Sequence, residues 1–195
     1  MKPLHDFLLS PFENKRYDNL SRYGDKKLII STSQEDHTAT NRFGVIKEVP
    51  FNYSGPIQAG DTVILHHNVF RIFYDMKGVE QSSPCHFYKN LYLVPPEQIY
   101  FYQKETPEHN NWKSTGEYCF IKPRQKAEKE LLSLDKLEEL VGEVTHDNGF
   151  LNTQGVKKGD LVSFYPDTEY EFKIGKEVFY RVKNKRICVK MKLKN

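Results

Sequence analysis

The feature that most constrains the fold of this 195-residue chain is an internal near-repeat. The first copy, residues 44–65, reads GVIKEVPFNYSGPIQAGDTVIL, and the second, residues 142–164, reads GEVTHDNGFLNTQGVKKGDLVSF. Each copy has Gly-x-Val, then a turn-rich connection, then Gly-Asp-x-Val. The glycine of Gly-Asp can take a positive φ, and its aspartate can bond nearby backbone N–H groups. Because the residues that follow alternate as half-buried strands do, we expect both copies to fold as the same strand–turn–strand unit.

The similarity of the two halves continues on both sides of the near-repeat. Residues 90–103 and residues 178–191 each read as a strand, a polar turn and a closing strand. Residues 2–10 and 117–124 are expected to provide the opening strands. The 13% aromatic content, together with 10 Pro and 11 Gly, also favours strands and turns. We therefore predict an all-β chain.

Composition gives the boundary between the copies. Residues 103–116 are polar and turn-rich, so we interpret them as a linker between a first domain, residues 1–102, and a second, residues 117–195. One segment departs from the strand pattern. It is the stretch 126–142, in which leucines recur at a spacing of three, and it predicts a short helix in the second domain. Those leucines are Leu131, Leu134, Leu137 and Leu140.

Spacing indicates an insertion in the first copy. Asp61 precedes Ile99 by 38 positions, whereas Asp160 precedes Ile187 by 27. The first copy therefore has 11 additional residues, which we assign to the stretch 71–90.

A triplet of aliphatic residues lies isolated in a polar region. Leu28, Ile29 and Ile30 follow the polar stretch 14–27 and precede the polar stretch 31–42. Two interpretations are open on the residues alone. The triplet is either a short edge strand or a docking element, on a flexible loop, for another protein.

These motifs resemble those of the GroES-like, ten-kilodalton co-chaperonin family. The shared features are Gly-x-Val, Gly-Asp-x-Val and a closing Ile-x-Val-type strand. The N-terminal sequence Lys-Pro-Leu-His-Asp, residues 2–6, strengthens the resemblance because the family opens its first strand in nearly this way. The resemblance covers nearly all of both halves, and it implies two tandem GroES-like small β-barrels.

The resemblance also implies a role for the aliphatic triplet. In that family a long mobile loop joins the first two strands, and its aliphatic tripeptide docks in a groove of the chaperonin ring. By position, Leu28, Ile29 and Ile30 match that tripeptide, and Gly24 matches the loop turn before it. The implied function is that of a co-chaperonin that caps or modulates a GroEL-like ring and assists protein folding.

A homo-oligomer is the implied assembly, with no cofactor of its own because the nucleotide would belong to the chaperonin. Subunits are expected to pair through strands near residues 2–9 and 187–192. The residues expected at this subunit contact are Lys2, Pro3, Leu4, Ile187 and Val189.

Other chemistries receive little support from the sequence. The adjacent pair His66-His67 lacks zinc-ligand spacing, and residues that are adjacent on a strand point to opposite faces. No catalytic or nucleotide-binding motif appears, so we expect neither an enzyme nor a metal site. Cys85, Cys119 and Cys188 form no close-spaced pair, which suits free thiols in a reducing cytoplasm. No apolar run approaches the roughly 20 residues of a membrane-spanning helix.

Two other classes of function stay open. One is a structural protein that has borrowed the fold, for example a virion component, in which the loop would be an assembly arm. The divergent, duplicated form of the co-chaperonin fold would itself suit a phage, acting in its host's cytoplasm, or a plastid lineage. The other class, which we consider the weaker, is a single-stranded nucleic-acid-binding barrel. It depends on the stretch 181–194, which has seven basic residues and no acidic one. Lysines on an edge strand are also a common guard against aggregation.

Overall fold

The computed structural model describes residues 1–17, 20–23, 26–29, 40–104, 106, 111–125, 137–146, 148–174 and 177–191. Over these residues the chain is mostly β-strand with a single short α-helix, as the all-β prediction required. It divides into two compact units, Met1–Trp112 and Lys113–Asn195. The division falls within the stretch 103–116 that composition marks as a linker.

The first unit is built on an antiparallel sheet. Its strands are β1 (Phe7–Pro11), β2 (Leu20–Tyr23), β3 (Lys26–Ile29), β4 (Phe43–Glu48), β5 (Thr62–Leu65), β6 (Ile72–Tyr74), β7 (Glu80–Ser82), β8 (His86–Tyr88), β9 (Leu91–Val94) and β10 (Ile99–Gln103). Short 3₁₀ turns occupy Phe12–Asn14, His67–Val69 and Pro96–Gln98. Six strands of the sheet follow the order β10–β5–β4–β1–β9–β8, whereas β2–β3 and β6–β7 form two separate two-stranded sheets.

The second unit has a sheet with the same strand order. The elements of this unit are β11 (Lys113–Ser114), β12 (Tyr118–Gln125), β13 (Leu137–Val144), α1 (Gly149–Thr153), β14 (Leu161–Phe164), β15 (Tyr170–Ile174), β16 (Glu177–Lys183), a 3₁₀ turn at Asn184–Arg186 and β17 (Ile187–Met191). The order is β17–β14–β13–β12–β16–β15. Taken in this order, the six strands correspond one by one to β10, β5, β4, β1, β9 and β8 of the first unit.

Each sheet covers its own apolar core, because alternate residues of successive strands face inward. The core of the first unit consists mainly of Phe7, Leu9, Ile46, Val63, Leu65, Phe70, Tyr92 and Val94. The core of the second consists of Cys119, Ile121, Val144, Leu151, Val156, Val162, Phe164 and Val182.

The Gly-Asp turns of the near-repeat have matching geometry. Gly60 and Gly159 have φ values of 93° and 88°, as expected for glycines in this turn. The Asp61 carboxylate accepts the N–H of Gln58 at 2.8 Å, and the Asp160 carboxylate accepts the N–H of Lys157 at 2.7 Å. Each aspartate therefore fixes the turn that leads into β5 or β14.

The glycines of Gly-x-Val are needed for close packing. A Cβ on Gly142 would lie 2.4 Å from Cγ2 of Ile121 and 2.5 Å from the carbonyl oxygen of Lys122, both in the neighbouring β12. A Cβ on Gly44 would lie 3.0 Å from Cδ1 of Leu65. Glycine at these positions lets the neighbouring strand approach closely.

The predicted helix over residues 126–142 is wrong in its described part. Leu137 and Leu140 belong to β13, which pairs with both β12 and β14, so the sheet overrides local helical propensity. Leu131 and Leu134 lie outside the described residues. The α-helix of this unit is α1, where the Asn148 side chain caps the first turn by accepting the N–H of Leu151 at 3.1 Å. No helix in the described ranges is long and apolar enough to cross a membrane.

The hairpin β6–β7 lies in the stretch 71–90, to which the 11 additional residues of the first copy were assigned. Ile72 pairs with Ser82 and Tyr74 pairs with Glu80. In the second unit, residues 165–169 join β14 directly to β15 without such a hairpin. The connection between β5 and β8 of the first unit therefore contains an element that the connection between β14 and β15 lacks.

Candidate partner-binding site

Three strand ends meet at one end of the first unit's sheet, which we call the loop end. Pro11 at the end of β1 pairs with Gly44 near the start of β4. Phe43 at the start of β4 pairs with Ile64 near the end of β5. Because these pairings are antiparallel, the connections that follow β1 and β5 both leave the sheet at the loop end. The Gly60-Asp61 turn lies at the opposite end.

The connection that carries the aliphatic triplet has a closed base. Tyr17 and Thr40 form an isolated antiparallel bridge. The N–H of Asn41 donates to the carbonyl of Arg16 at 2.9 Å, and the Asn41 side-chain amide donates to the carbonyl of Lys15 at 2.8 Å. The chain therefore leaves the sheet and returns to it at neighbouring points, and the residues between Tyr17 and Thr40 form one excursion.

Within this excursion, Leu28 and Ile29 lie on β3, whose partner among the described strands is β2. The registered pairs are Leu20 with Ile29 and Ser21 with Leu28. The expected flexible loop thus has a regular hairpin in its described part, and this hairpin is separate from the two large sheets. Ile30 and the predicted loop turn Gly24 lie outside the described residues.

The base of the excursion is bonded to the β6–β7 hairpin. The Tyr17 hydroxyl accepts the backbone N–H of Ile72 at 2.7 Å. The Arg16 guanidinium donates to the carbonyl of Phe70 at 3.2 Å and to the hydroxyl of Ser82 at 3.4 Å. Sequence reasoning missed this connection because its partners lie more than fifty positions apart. The hairpin and the excursion therefore share one attachment.

The tip of the β6–β7 hairpin is a structured turn with apolar side chains outside. The Asp75 carboxylate accepts the N–H groups of Val79 at 2.9 Å and of Lys77 at 2.8 Å, and these bonds hold the pKa of Asp75 below its usual value. Met76 is fully exposed and Val79 is 53% exposed. The local signal for this turn was present in the sequence as Asp75 followed by Gly78 three residues later.

The N-terminal residues expected at a subunit contact precede the first strand. The Lys2 ammonium lies 5.5 Å from the centroid of the Phe51 ring, and the carbonyl of Pro3 accepts the N–H of Phe51 at 2.9 Å. Leu4 is 68% exposed. Subunit pairing through a strand near residues 2–9 requires a free strand edge, and this expectation is wrong at Leu8 and Leu9. There β1 pairs with β4 on one side and with β9 on the other.

A cavity of 330 Å³ lies beside these N-terminal residues. Apolar side chains of Leu4, Leu8, Phe87 and Leu93 contribute to its lining. Phe87, on the outermost strand β8, is 47% exposed. This face of the first unit therefore combines an open apolar cavity with a terminal strand.

The C-terminal residues of the expected contact lie on β17. This strand pairs with β14 and is the last in its sheet. Ile187 is partly buried, and Val189 is 53% exposed. The Lys190 ammonium contacts the Asp160 carboxylate at 2.6 Å and donates to the carbonyl of Gly155 at 2.8 Å. The pKa of Asp160 is lowered, first by the bond from Lys190 and then by the backbone bond from Lys157.

The basic stretch near the C-terminus is partly used within its own unit. The Arg181 guanidinium lies 4.7 Å from the ring centroid of Tyr118 and 4.9 Å from that of Tyr170. Lys190 is engaged with Asp160. A cation–π contact and an ion pair therefore account for two of the basic side chains without any nucleic acid.

Among the described residues, two of the three thiols are buried and two adjacent histidines stack on each other. Burial raises the pKa of Cys119 to about 12 and also raises that of Cys85, whereas Cys188 is exposed. The His66 and His67 rings stack at 4.3 Å instead of pointing to opposite faces, because His67 begins a 3₁₀ turn rather than continuing β5. Where the structure describes the chain, it shows no group of three or more His, Cys, Asp or Glu that could hold a metal ion.

The predicted partner-binding residues that the structure describes thus lie on a hairpin and at two terminal surfaces. The hairpin is β2–β3, and the base of its excursion is bonded to the β6–β7 hairpin. In comparisons with known proteins, no family model matches the sequence and no curated protein is significantly similar to it.

Proposed function

We propose that this protein is a co-chaperonin of GroES-like type, with two small β-barrels in tandem, that caps or modulates a chaperonin ring. The observation that carries the proposal is the position of Leu28 and Ile29. In the part of the chain that the structure describes, they lie on a hairpin that leaves the loop end of the first unit and forms a two-stranded sheet of its own. The shared strand order of the two sheets and the matching Gly-Asp turns support the tandem arrangement.

The energetics suit a lid that must attach and release. Each of three aliphatic side chains gains roughly 1.5–3 kcal/mol when it is fully buried. Ordering of the segment on binding offsets much of that gain, so one copy would bind weakly. Several copies on one oligomer would raise the overall affinity through avidity. The lid would be released when the ring binds the segments less tightly.

Oligomer formation would use the terminal surfaces. β17, on which Val189 is 53% exposed, is the last strand of its sheet and would offer a strand edge, and the N-terminal residues beside the 330 Å³ cavity would offer an apolar receptor. Lys2, Pro3, Leu4 and Ile187 belong to the same proposed contact. Mass measurement of the purified protein, with and without a chaperonin, tests the assembly.

The decisive experiment replaces the triplet with aspartate. The variant Leu28→Asp/Ile29→Asp/Ile30→Asp should lose nucleotide-dependent co-purification with a GroEL-like chaperonin. The matched control is Ser31→Asp/Thr32→Asp/Ser33→Asp, which adds the same charge next to the triplet and keeps its aliphatic side chains. The control should still bind. Undiminished binding by the triplet variant would overturn the proposal, and fixed copy number in purified virus particles would instead favour the assembly role.

A further inference from the structure

The β6–β7 hairpin carries apolar side chains that are partly or fully exposed. Met76 is fully exposed, Val79 is 53% exposed, and Phe73 on β6 is 36% exposed. The hairpin forms its own two-stranded sheet rather than an extension of the large one. Apolar side chains grouped on a projecting element are typical of a surface that another protein covers.

The hairpin presents these side chains in a fixed form. Asp75 accepts two backbone N–H groups across the turn, from Lys77 and Val79, and Gly78 supplies the positive φ of 74° that the turn requires. The amide of Gln81 approaches the same carboxylate at 3.4 Å. A contact that is already ordered loses less entropy on binding than a flexible one.

The β6–β7 hairpin and the excursion that carries Leu28 and Ile29 begin at the same end of the sheet. The chain that follows β5 and the chain that follows β1 both leave the sheet at the loop end. Tyr17 and Arg16, at the base of the excursion that carries Leu28 and Ile29, bond directly to the backbone around Phe70 and Ile72. The excursion and the hairpin therefore leave the first unit from adjoining points.

From these observations we propose that the β6–β7 hairpin is a second contact for the same chaperonin ring, with Met76 and Val79 entering an apolar cleft of that ring. This inference rests on the proposed function and adds a recognition element to it. A second copy of this chain is a poorer occupant, since a hairpin tip with a few apolar side chains buries far less than the roughly 800 Å² per partner of a standard stable interface. As an addition to a contact that the triplet has already made, the same small area is effective because the second contact is then intramolecular.

The test uses the full chain and measures its affinity for an immobilised GroEL-like ring with nucleotide present. Met76→Asp/Val79→Asp should weaken binding by about tenfold or more, mainly through faster dissociation, because two apolar anchors lose their burial. The matched control is Phe150→Asp, which changes a 43% exposed aromatic residue on α1 of the second unit. Circular dichroism and the melting temperature should show that both variants stay folded.

The outcomes separate the two proposals. Wild-type affinity of the hairpin variant, alongside lost binding of the triplet variant, would overturn this inference and leave the co-chaperonin function standing. Failure of the unmodified chain to bind any chaperonin would overturn both. A lower oligomeric mass of the hairpin variant would assign the hairpin to a contact between copies, and would also overturn the inference.

Discussion

The Tyr17 hydroxyl lies 2.7 Å from the backbone nitrogen of Ile72, although the two residues are 55 positions apart in the sequence. Tyr17 also forms the bridge with Thr40 that closes the excursion carrying Leu28 and Ile29. One side chain thus connects the base of the excursion to the hairpin inserted after β5. This bond gives both elements a common position at the loop end.

Removal of that hydroxyl should loosen the hairpin without unfolding the sheet. Tyr17→Phe keeps the ring and leaves the Ile72 N–H without its partner, which should cost about 1 kcal/mol of unfolding free energy. Hydrogen exchange of the Ile72 amide should become faster. The control is Tyr165→Phe, at a tyrosine that is 52% exposed in the second unit. Unchanged exchange at Ile72 would show that the bond has no role in holding the hairpin.

The two Gly-x-Val glycines should differ in their tolerance of alanine. Gly142→Ala should destabilise the second unit by about 1–3 kcal/mol, because its Cβ would meet the Lys122 carbonyl of a paired strand. Gly44→Ala should cost less, since the first atoms it meets are the flexible ends of Leu65 and Leu9. Chemical denaturation measures both.

Gly149→Ala provides the matched control, because nothing lies within 4 Å of a Cβ added there. It should be neutral or slightly stabilising. Equal losses at Gly142 and Gly149 would contradict the packing explanation and would point to a general effect of glycine replacement.

Acid should remove the stabilisation that Asp160 provides. Its pKa is lowered in the folded protein, so its contribution is present above the ordinary value near 3.8 and is lost as the pH falls through the folded pKa. Asp160→Asn should therefore be less stable than the unmodified chain at neutral pH, by about 1 kcal/mol for the weakened bonds. The difference should shrink below pH 4.

Denaturation curves recorded from pH 7 to pH 3 measure this difference. The control is Asp167→Asn, at an exposed turn residue whose φ of 58° asparagine tolerates. A stability difference for Asp160→Asn that stays constant down to pH 3 would exclude a role for the charge.

Thiol labelling should distinguish the three cysteines in the folded protein. At neutral pH a maleimide should modify Cys188, which is exposed, well before Cys119, whose pKa is raised to about 12 by burial. Cys85 is also buried, and its pKa is raised. Mass spectrometry of digested protein locates the adducts, and denatured protein is the control in which all three should react. Rapid modification of Cys119 in the folded chain would contradict the second core as described.

The parts of the fold that sequence reasoning predicted are those fixed by local chemistry. Gly60 and Gly159 have the positive φ that Gly-Asp indicated, and Asp61 and Asp160 make the predicted bonds to the backbone. The length difference between the copies also pointed to the stretch 71–90, where the β6–β7 hairpin lies. These features could be predicted because their causes lie within a few residues.

The errors arose where distant residues decide the structure. Leu137 and Leu140 have helical spacing, yet their backbone pairs with β12 and β14, which no local pattern reveals. Asn148, which caps α1, was an available helix-start signal that the leucine pattern obscured. The pairing of β1 on both sides likewise follows from sheet order rather than from its sequence.

For the candidate site, the triplet was visible as apolar residues in a polar stretch, and a short edge strand was one of its two interpretations. Leu28 and Ile29 do lie on such a strand, but its pairing with β2 was not predicted. Leu20 and Ser21, the partners of Ile29 and Leu28, lie within a segment too polar to be read as a strand. The bond between Tyr17 and Ile72 left no local trace at all. Long-range attachment therefore accounts for most of what the sequence reasoning missed at this site.

The Gly-Asp turns have a consequence for how such a chain can diversify. These turns close one end of the six strands that the two sheets have in common. The connections at the opposite end have unequal lengths. We expect that peptides can be inserted or shortened there without a shift in the register of the strands, because the Gly-Asp turns fix the strands at the other end. Exchange of residues 75–79 for a foreign recognition sequence would thus give a new specificity on an unchanged scaffold.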